Sequence, residues 1–172
     1  IGRATCSRLA GEGALLIRCD RGATPEITEV FEVTEEAGWA RLAERIAQRH
    51  GRLDALVNCA GVLAVGGAED TDADTWQRLL QVNLTGTFLV TQACVRPMIA
   101  QGKKGSIINI CSTYGLNGPD QRIYRKPDGT QPAYKPVYYT VTKAGVVGFT
   151  KYLAAYYMET EIRVNMLTPG DV

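Results

Sequence analysis

The 172-residue sequence has a single histidine, a small net charge and no long apolar run. The histidine, His50, precedes Gly51 where a helix is expected to end, so we interpret it as a helix C-terminal residue that interacts with the dipole. Ser–His catalysis and metallohydrolase chemistry are therefore disfavoured. The formal net charge of +1 gives no reason to expect nucleic acid or an anionic membrane as partner. No apolar stretch approaches the length of a membrane span, and no signal-peptide pattern opens the sequence.

Cysteine is present in an odd number, without the spacing of metal ligands or of a disulfide framework. All of the cysteines lie in apolar settings, which favours reduced, mostly buried side chains and a cytoplasmic location. We therefore expect neither a zinc site nor any other metal site. The cysteines are Cys6, Cys19, Cys59, Cys94 and Cys111.

The composition is typical of a globular protein, with 45% hydrophobic and 22% charged residues. The length predicts one domain over residues 1–172. Apolar runs typical of buried strands alternate with segments of helical periodicity, which indicates an α/β fold with a parallel sheet. The predicted strands are Ala14–Cys19, which ends at Asp20, then Glu29–Val33, Leu56–Asn58, Ser106–Cys111 and Ile162–Leu167.

Helical periodicity predicts four helices between these strands. Thr34 is positioned to cap the second helix, and Thr71-x-x-Asp74 resembles a capping box for the third. Pro97 is expected to bend or end the third helix. The predicted helices run to about Leu9, from Thr34 to Gly51, from Thr71 to about Pro97, and from Tyr139 to about Tyr157 after a long polar loop at Thr113–Val137.

Two features are missing from this otherwise regular pattern. No strand precedes the first helix, so we expect an open position inside the sheet, with unpaired backbone groups on both sides. The connection Arg21–Ile27 is shorter than the roughly 10–12 residues of a parallel crossover that contains a helix, and Pro25 disfavours a helix there. We therefore expect that segments are absent from the chain, whereas a continuous connection over residues 20–28 would indicate a rewired topology.

Two adjacent tyrosines precede Lys143, and only one of them shares its helix face. Tyr139 stands four positions before Lys143 and about 40° from eclipsed, whereas Tyr138 points roughly 140° away. A phenol has an unperturbed pKa near 10, and an adjacent cation lowers such a value by about 1–3. A tyrosine tuned in this way can give or take a proton near neutral pH. Taken alone, the motif is better explained as an ordinary helical surface pair. The accompanying motifs favour a catalytic role for the pair instead.

Those motifs stand in a definite order along the chain. They are Ile1-Gly2, Leu53–Gly61 (LDALVNCAG), Asn83-Leu84-Thr85-Gly86, Ile108–Ser112 (INICS), the Tyr139 and Lys143 pair, and Pro169-Gly170. In this order they resemble the short-chain dehydrogenase/reductase family, from the end of its Gly-rich phosphate loop to the Pro-Gly after its sixth strand. Cys59 replaces the second asparagine of the family's Asn-Asn-Ala-Gly segment. Each motif is weak alone, but the ordered set is specific and covers almost the whole chain.

The resemblance implies a Rossmann-like, doubly wound parallel sheet in three α/β/α layers. The resemblance also implies an NAD(P)-dependent oxidoreductase that transfers a hydride between nicotinamide and an alcohol or ketone. Tyr139 is implied as the acid/base, with Lys143 as its cationic partner and a ligand of the nicotinamide ribose. Ser112 would orient the substrate oxygen, and Asn83 would hold a water-linked proton path to Lys143. The alternatives are a strand-end cap for Ser112 and a polar contact inside a helix for Asn83.

Asp20 indicates which dinucleotide is bound. An acidic residue roughly 20 positions after the Gly-rich turn binds the adenosine ribose hydroxyls and repels a 2′-phosphate, and Asp20 follows Gly2 by eighteen positions. NAD is therefore expected over NADP, although Arg18 and Arg21 flank Asp20 and could meet a phosphate. The expected cofactor-binding residues are Ile1, Gly2, Asp20, Glu32, Val33, Asn58, Ala60, Gly61, Tyr139, Lys143, Pro169 and Gly170.

The polar loop Thr113–Val137 is expected to shape the substrate pocket, although most of its side chains are equally explained as solvated surface. Its aromatic and basic content suits a polar, hydroxyl-rich or anionic small molecule such as a sugar derivative. Members of the family are usually dimers or tetramers built through the long helices, here Trp76–Met98 and Tyr139–Tyr157, so a homo-oligomer such as a homotetramer is expected. The alternative function is a non-catalytic nucleotide-binding or interaction protein derived from this fold.

Overall fold

Residues 1–102 and 104–170, which the computed structural model describes, form five α-helices and five strands. The helices are α1 (Gly2–Gly11), α2 (Glu36–His50), α3 (Ala73–Leu80), α4 (Thr87–Ala100) and α5 (Val137–Tyr156). The strands are β1 (Cys19–Asp20), β2 (Glu29–Val30), β3 (Ala55–Asn58), β4 (Gly105–Ile110) and β5 (Ile162–Leu167). A π-helical segment, Gln81–Gly86, joins α3 to α4, and two 3₁₀ turns, Thr113–Gly115 and Gln121–Tyr124, lie between β4 and α5.

The strands form two parallel sheets. The larger has the order β3-β4-β5, with Asn58 opposite Asn109 and Ile110 opposite Leu167. The smaller pairs β1 with β2. No ladder joins the two sheets among the described strands. Parallel strands flanked by helices confirm the Rossmann-like α/β class, and the separation of β1 from β3 agrees with the expected open position inside the sheet.

The first predicted strand is much shorter than its apolar run. Residues 14–18 lie outside any strand, only Cys19 and Asp20 pair with β2, and Leu15 is 72% exposed. A strand is stabilised by its ladder hydrogen bonds, and residues 14–17 have no partner strand within the described chain. The strand predicted to Val33 likewise ends at Val30. Both predictions are wrong in length because an apolar run reports a tendency to be buried, not the presence of a neighbouring strand.

Residues 21–28 connect β1 to β2 without a helix. The amides of Thr28 and Glu29 both donate to the Arg18 carbonyl, at 2.9 and 3.0 Å, and the Ile27 amide donates to Thr24 at 3.0 Å. These bonds turn the connection back toward β1. Because β1 and β2 have only two residues each, a short connection is enough to place them side by side in parallel. The connection over residues 20–28 is therefore continuous and contains no helix, as its length and Pro25 predict.

Helix ends follow local capping, with two corrections. Thr34 does not cap α2, because Glu35 holds the N-cap position without a side-chain cap bond. The helix predicted from Thr71 begins at Ala73, because the Asp72 carboxylate accepts the Thr75 amide at 2.7 Å and so provides the cap. The end of α2 at Gly51 is confirmed, since Gly51 has the left-handed φ of 66° that favours glycine. Pro97 lies inside α4, which ends within a turn of it.

Two apolar clusters hold the helices on the larger sheet. One packs α2 against α4 through Trp39, Leu42, Ile46, Val90 and Cys94. The other joins α4, β4, α5 and β5 through Val95, Met98, Ile107, Leu153, Ile162 and Val164. Because α4 and α5 are both anchored to this sheet, the side chains at their amino-terminal ends are held close to the carboxyl ends of the strands.

Candidate functional site

The carboxyl ends of β3, β4 and β5 lie along one edge of the larger sheet, where ligands bind in open parallel sheets. Beyond β4, the Cys111 amide donates to the Leu167 carbonyl at 2.7 Å and the Thr113 amide donates to Pro169 at 3.2 Å. These bonds hold the segment that carries Ser112 against the Pro169-Gly170 segment. Two motifs that are far apart in sequence are thereby joined at one edge.

Helix α5 presents Tyr139 and Lys143 to this edge. The Lys143 ammonium lies 5.8 Å from the centroid of the Tyr139 ring. Tyr138 faces elsewhere: its side chain is buried, and its hydroxyl accepts the Ala64 amide at 2.6 Å and contacts the Ala64 carbonyl. The structure therefore brings Tyr139, and not Tyr138, together with the ammonium, as helical spacing predicts.

Lys143 is held by the strand next to it. Its side chain is buried, and its ammonium donates a 2.7 Å hydrogen bond to the Ile110 carbonyl at the end of β4. Burial lowers the pKa of Lys143, while the nearby thiols of Cys111 and Cys59 act weakly in the opposite direction. The ammonium has two further N–H donors for a ligand at the sheet edge.

Ser112 caps the first 3₁₀ turn. Its hydroxyl oxygen accepts the Tyr114 amide at 3.2 Å, and the residue is buried. The strand-end cap considered as an alternative role is thus present. Accepting this bond uses one lone pair of the oxygen, so the O–H remains able to donate to another partner. Capping and substrate binding are compatible at this residue.

Gly115 is a position that the sequence did not single out. A Cβ there would lie 2.8 Å from the Cys111 sulfur and 2.8 Å from the backbone carbonyl carbon and oxygen of Lys143. The turn therefore packs directly on the backbone of α5, and only glycine permits that approach. Its sequence signal is modest: a glycine three residues after a serine at the end of a buried strand.

Asn83 lies in the π-helical segment, although a regular helix was expected there. Its amide oxygen accepts the Val62 amide at 2.8 Å, and its amide nitrogen donates to the Val62 carbonyl at 3.0 Å and to Thr142 at 3.5 Å. Its own carbonyl accepts the Thr87 hydroxyl at 3.0 Å. Asn83 thus ties the loop after β3 to α5. Insertions of π-helix occur frequently at functional sites.

The side-chain amide of Asn58 is used inside the protein. Its nitrogen donates to Thr91 at 3.0 Å and to Asn109 at 2.8 Å, and Asn109 donates in turn to Thr150 at 2.9 Å. This buried network links β3 and β4 to α4 and α5. Asn58 therefore positions strands and helices through its amide group, whereas sequence reasoning assigned it to the cofactor. Asn109 and the two threonines were not anticipated.

The residues predicted for the cofactor lie at the start of α1, in α5, and at or after the ends of β1, β2, β3 and β5. Gly2 packs beside Cys59, since a Cβ on Gly2 would lie 3.3 Å from the Cys59 Cβ, so the start of α1 adjoins the Ala60-Gly61 loop. Asp20 is exposed at the end of β1, and its carboxylate accepts the Gly22 amide at 2.9 Å. Among the residues predicted to bind the cofactor, Gly2, Val33 and Pro169 are partly buried. The exposed ones are Ile1, Asp20, Glu32, Ala60, Gly61 and Gly170.

These residues fit a dinucleotide. The α1 start and the Ala60-Gly61 loop carry little side-chain bulk, so a backbone can approach a pyrophosphate there. The Asp20 carboxylate is exposed and suits the hydroxyls of the adenosine ribose. Lys143 supplies N–H donors for the nicotinamide end of a dinucleotide. Val33 packs against Gly86, where a Cβ would lie 2.7 Å from a Val33 methyl. Val33 is thereby linked to the Asn83–Gly86 segment.

Within residues 1–102 and 104–170, no group of three or more His, Cys, Asp or Glu is arranged to hold a metal ion. None of the described helices combines the length and the apolar character needed to cross a bilayer. All five cysteines are free, and burial raises the pKa of Cys94 to about 12.

A family model described as enoyl-(acyl carrier protein) reductase matches residues 1–172. Among curated proteins, the chain is 39% identical over 142 residues to a trans-4-hydroxycyclohexanecarboxylate dehydrogenase of Sinomonas cyclohexanicum, which covers 83% of this chain and 49% of the relative. It is 41% identical over the same length, with the same coverage, to a 3-alpha-(or 20-beta)-hydroxysteroid dehydrogenase of Mycobacterium tuberculosis H37Rv. The chain thus spans about half the length of these relatives.

The fold also matches a solved enzyme. A short-chain dehydrogenase from Leptospira borgpetersenii, crystallised with bound NAD+, superposes with a TM-score of 0.87 at 30% identity, covering 99% of this chain and 66% of that one. The match of the family model over the whole chain, the ordered motifs and this superposition agree. The chain belongs to the short-chain dehydrogenase/reductase family.

Proposed function

We propose that this chain is the dinucleotide-binding and catalytic part of an NAD-dependent oxidoreductase that interconverts an alcohol and a ketone. The observation that carries the proposal is the position of Lys143 at the carboxyl edge of one sheet. Its ammonium lies 5.8 Å from the centroid of the Tyr139 ring and donates to Ile110, two residues before Ser112, while Asn83 is bonded to the loop after β3. Bound NAD would supply the hydride chemistry. The residues of this chain would bind and orient the substrate and move one proton.

Tyr139 is the acid/base under this proposal. Its phenol gives a proton to the carbonyl oxygen during reduction and takes a proton from the alcohol during oxidation. The Ser112 hydroxyl donates a hydrogen bond to the same substrate oxygen and so places it beside the phenol. Lys143, held by Ile110, keeps a positive charge near the Tyr139 ring and offers its remaining N–H groups to the nicotinamide ribose.

Asn83 acts as a positioning residue. Its bonds to Val62 set the loop after β3, and its contact with Thr142 reaches the turn of α5 next to Lys143. We extend the family's water-linked proton path to this site as part of the proposal. The hydrogen bonds of Asn83 support the positioning role, because both ends of its amide group are bonded to backbone or side chain within the protein.

NAD rather than NADP is proposed as the cofactor. The exposed Asp20 carboxylate suits free ribose hydroxyls and repels a 2′-phosphate. Arg18, which flanks it, is 3.9 Å from Glu26 and shares that carboxylate with Arg3 at 3.8 Å. Part of the positive charge that a 2′-phosphate would require is thereby already paired.

The substrate is proposed to be a polar small molecule. One similar dehydrogenase is named for an alcohol that carries a carboxylate and another for hydroxysteroids, so the two names differ in polarity. The loop between β4 and α5 favours the polar class, because it brings hydroxyl, amide and basic groups to the edge that holds Ser112 and Tyr139. Hydroxyl-rich and sugar-like compounds remain within this class.

A homo-oligomer in the cytoplasm completes the proposal. Helices α4 and α5 expose apolar side chains that a second copy would cover, including Phe88, Ile99, Val141, Tyr152 and Tyr156. The free state of the cysteines supports a reducing compartment. Light scattering of the purified protein tests the assembly: a monomer mass at micromolar concentration would contradict it.

The experiment that tests the function separates binding from turnover. NADH fluorescence is titrated with the protein, and NAD+-dependent oxidation is then assayed on a panel of hydroxy acids, polyols and hydroxysteroids. We expect binding, turnover of at least one polar alcohol, and loss of turnover in Tyr139→Phe but not in the matched control Tyr152→Phe on the same helix. Binding without turnover of any compound would favour the non-catalytic alternative.

A further inference from the structure

The backbone of Lys135, just before α5, is held from the side by Gln121. The Gln121 amide oxygen accepts the Lys135 amide at 2.9 Å, and the Gln121 amide nitrogen donates to the Lys135 carbonyl at 2.9 Å. Gln131 donates to the Gln121 carbonyl at 3.0 Å and so fixes the clamp itself. These bonds fix the backbone position from which the Lys135 side chain extends.

The Lys135 ammonium lies between two aromatic rings of the candidate site. It is 4.9 Å from the centroid of the Tyr114 ring and 5.0 Å from that of the Tyr139 ring. Both distances fall within the range of cation–π contacts. Tyr114 belongs to the turn that Ser112 caps, so the ammonium lies between a ring of that turn and the ring of the proposed acid/base.

The charge of Lys135 is not neutralised within the described chain. None of the acidic residues at positions 1–102 or 104–170 places a carboxylate within 4 Å of its ammonium. The acids of its own loop have other partners, since Asp120 pairs with Arg122 and Asp128 accepts from Thr130. Ring faces attract the cation but satisfy its N–H donors poorly, so these donors are available to an anion.

We propose that Lys135 binds a carboxylate of the substrate, which makes the substrate an alcohol or ketone that also carries a carboxylate. The inference rests on the proposed function and specifies its substrate class. The reacting oxygen would lie between Ser112 and Tyr139, and the carboxylate would reach the ammonium above the Tyr139 ring. Lys135 does not take part in the proton transfer; it decides which alcohols are held in place for it.

The test compares an acid with its neutral ester in charge variants. Steady-state kinetics with NAD+ are measured for 4-hydroxycyclohexanecarboxylate and its methyl ester, using the unaltered protein, Lys135→Met and Lys135→Arg. Lys126→Met, an exposed lysine in the same loop, is the control. We expect kcat/KM for the acid to fall about 10- to 100-fold in Lys135→Met, the range for one lost charge-assisted hydrogen bond, mainly through KM. The ester should change less than about threefold, and Lys135→Arg should recover part of the loss.

A binding measurement keeps the inference testable if neither compound is turned over. Calorimetric titration of the protein–NADH complex with cyclohexanecarboxylate should show binding that Lys135→Met weakens by the same factor, with NADH affinity unchanged. Absence of turnover with carboxylate binding intact would count against the proposed function alone. Equal effects on acid and ester, no carboxylate binding, or a Lys135→Met protein with weakened NADH affinity would overturn the assignment of Lys135 to the substrate.

Discussion

The ammonium of Lys143 donates a 2.7 Å hydrogen bond to the backbone carbonyl of Ile110, the last residue of β4. The bond joins a residue in the second turn of α5 to the strand end that leads into Ser112. It therefore fixes the relative position of the helix that carries Tyr139 and of the turn that carries Ser112. A side chain expected to adjust proton chemistry and to bind the nicotinamide ribose also has this structural role, and the structural role can be measured separately.

Lys143→Met should change stability in a pH-dependent way. Burial lowers the folded-state pKa of Lys143 from its ordinary 10.5, so the unfolded chain keeps this proton to higher pH than the folded protein does. The unfolding free energy contributed by Lys143 therefore rises as the pH increases from the folded pKa toward 10.5. We expect the unaltered protein to gain stability relative to Lys143→Met across this alkaline range.

Urea denaturation at about pH 7, 8, 9 and 10 measures the difference in unfolding free energy between the unaltered protein and Lys143→Met. Lys151→Met, an exposed lysine on the same helix, controls for the change of residue type. A difference between the unaltered protein and Lys143→Met that stays constant or shrinks as the pH rises would show that burial does not dominate the pKa of Lys143.

Tyr138→Phe and Tyr139→Phe should fail in different ways. Tyr138→Phe removes a hydroxyl that binds the Ala64 amide, so about 1–3 kcal/mol of stability should be lost while turnover persists. Tyr139→Phe removes the proposed acid/base, so turnover should fall about 10²- to 10⁴-fold with little change in stability. Thermal unfolding and steady-state assays on both variants measure the two effects. The reverse pattern would assign the acid/base role to Tyr138.

Local patterns predicted those parts of the site whose neighbours are close in sequence or regular in space. Helical periodicity selected Tyr139 over Tyr138 because a helix fixes the directions of residues four apart. The apolar run Ile162–Leu167 became a full strand because β4 lies beside it. The run Ala14–Cys19 is the more apolar of the two, but residues 14–17 have no partner strand within the described chain, so the stronger signal did not produce a full strand.

Tertiary contacts explain what the sequence could not indicate. The π-helical segment at Asn83 coincides with paired bonds to Val62, a residue on another loop, and no helical pattern encodes that partner. The position of Lys135 depends on Gln121, fourteen residues earlier. Both features depend on hydrogen bonds between a side chain and the backbone of a loop, at Val62 and at Lys135, and such bonds leave no periodic signal in the sequence.

Gly115→Ala should disturb the site without altering any proposed catalytic side chain. The new Cβ would lie 2.8 Å from the carbonyl of Lys143 and from the Cys111 sulfur, so the turn must move away from α5. Overpacking of this kind costs about 1–3 kcal/mol of stability. Turnover should fall as well, because the Ser112 hydroxyl moves relative to Tyr139.

Gly118→Ala is the matched control, since a Cβ at Gly118 meets no atom within 4 Å. Chemical denaturation and steady-state assays on the two alanine variants measure the difference. If Gly115→Ala behaves like Gly118→Ala in both assays, the close approach of the turn to α5 has no role in holding the site together.

Asp20→Asn should weaken the preference for NAD over NADP. The substitution removes the charge that repels a 2′-phosphate and keeps an amide that can still bind ribose hydroxyls. The Gly22 amide bond at 2.9 Å can be retained by the asparagine oxygen, so the turn after β1 should keep its shape. We expect the ratio of kcat/KM for NAD+ to that for NADP+ to fall by about tenfold or more, the effect of losing about 1.4 kcal/mol of discrimination.

Glu12→Gln, an exposed acid paired with Arg8, controls for net charge and should leave the ratio unchanged. A ratio that stays the same in Asp20→Asn, or an unaltered protein that already prefers NADP+, would remove Asp20 from cofactor selection and direct attention to Arg18 and its pairing with Glu26.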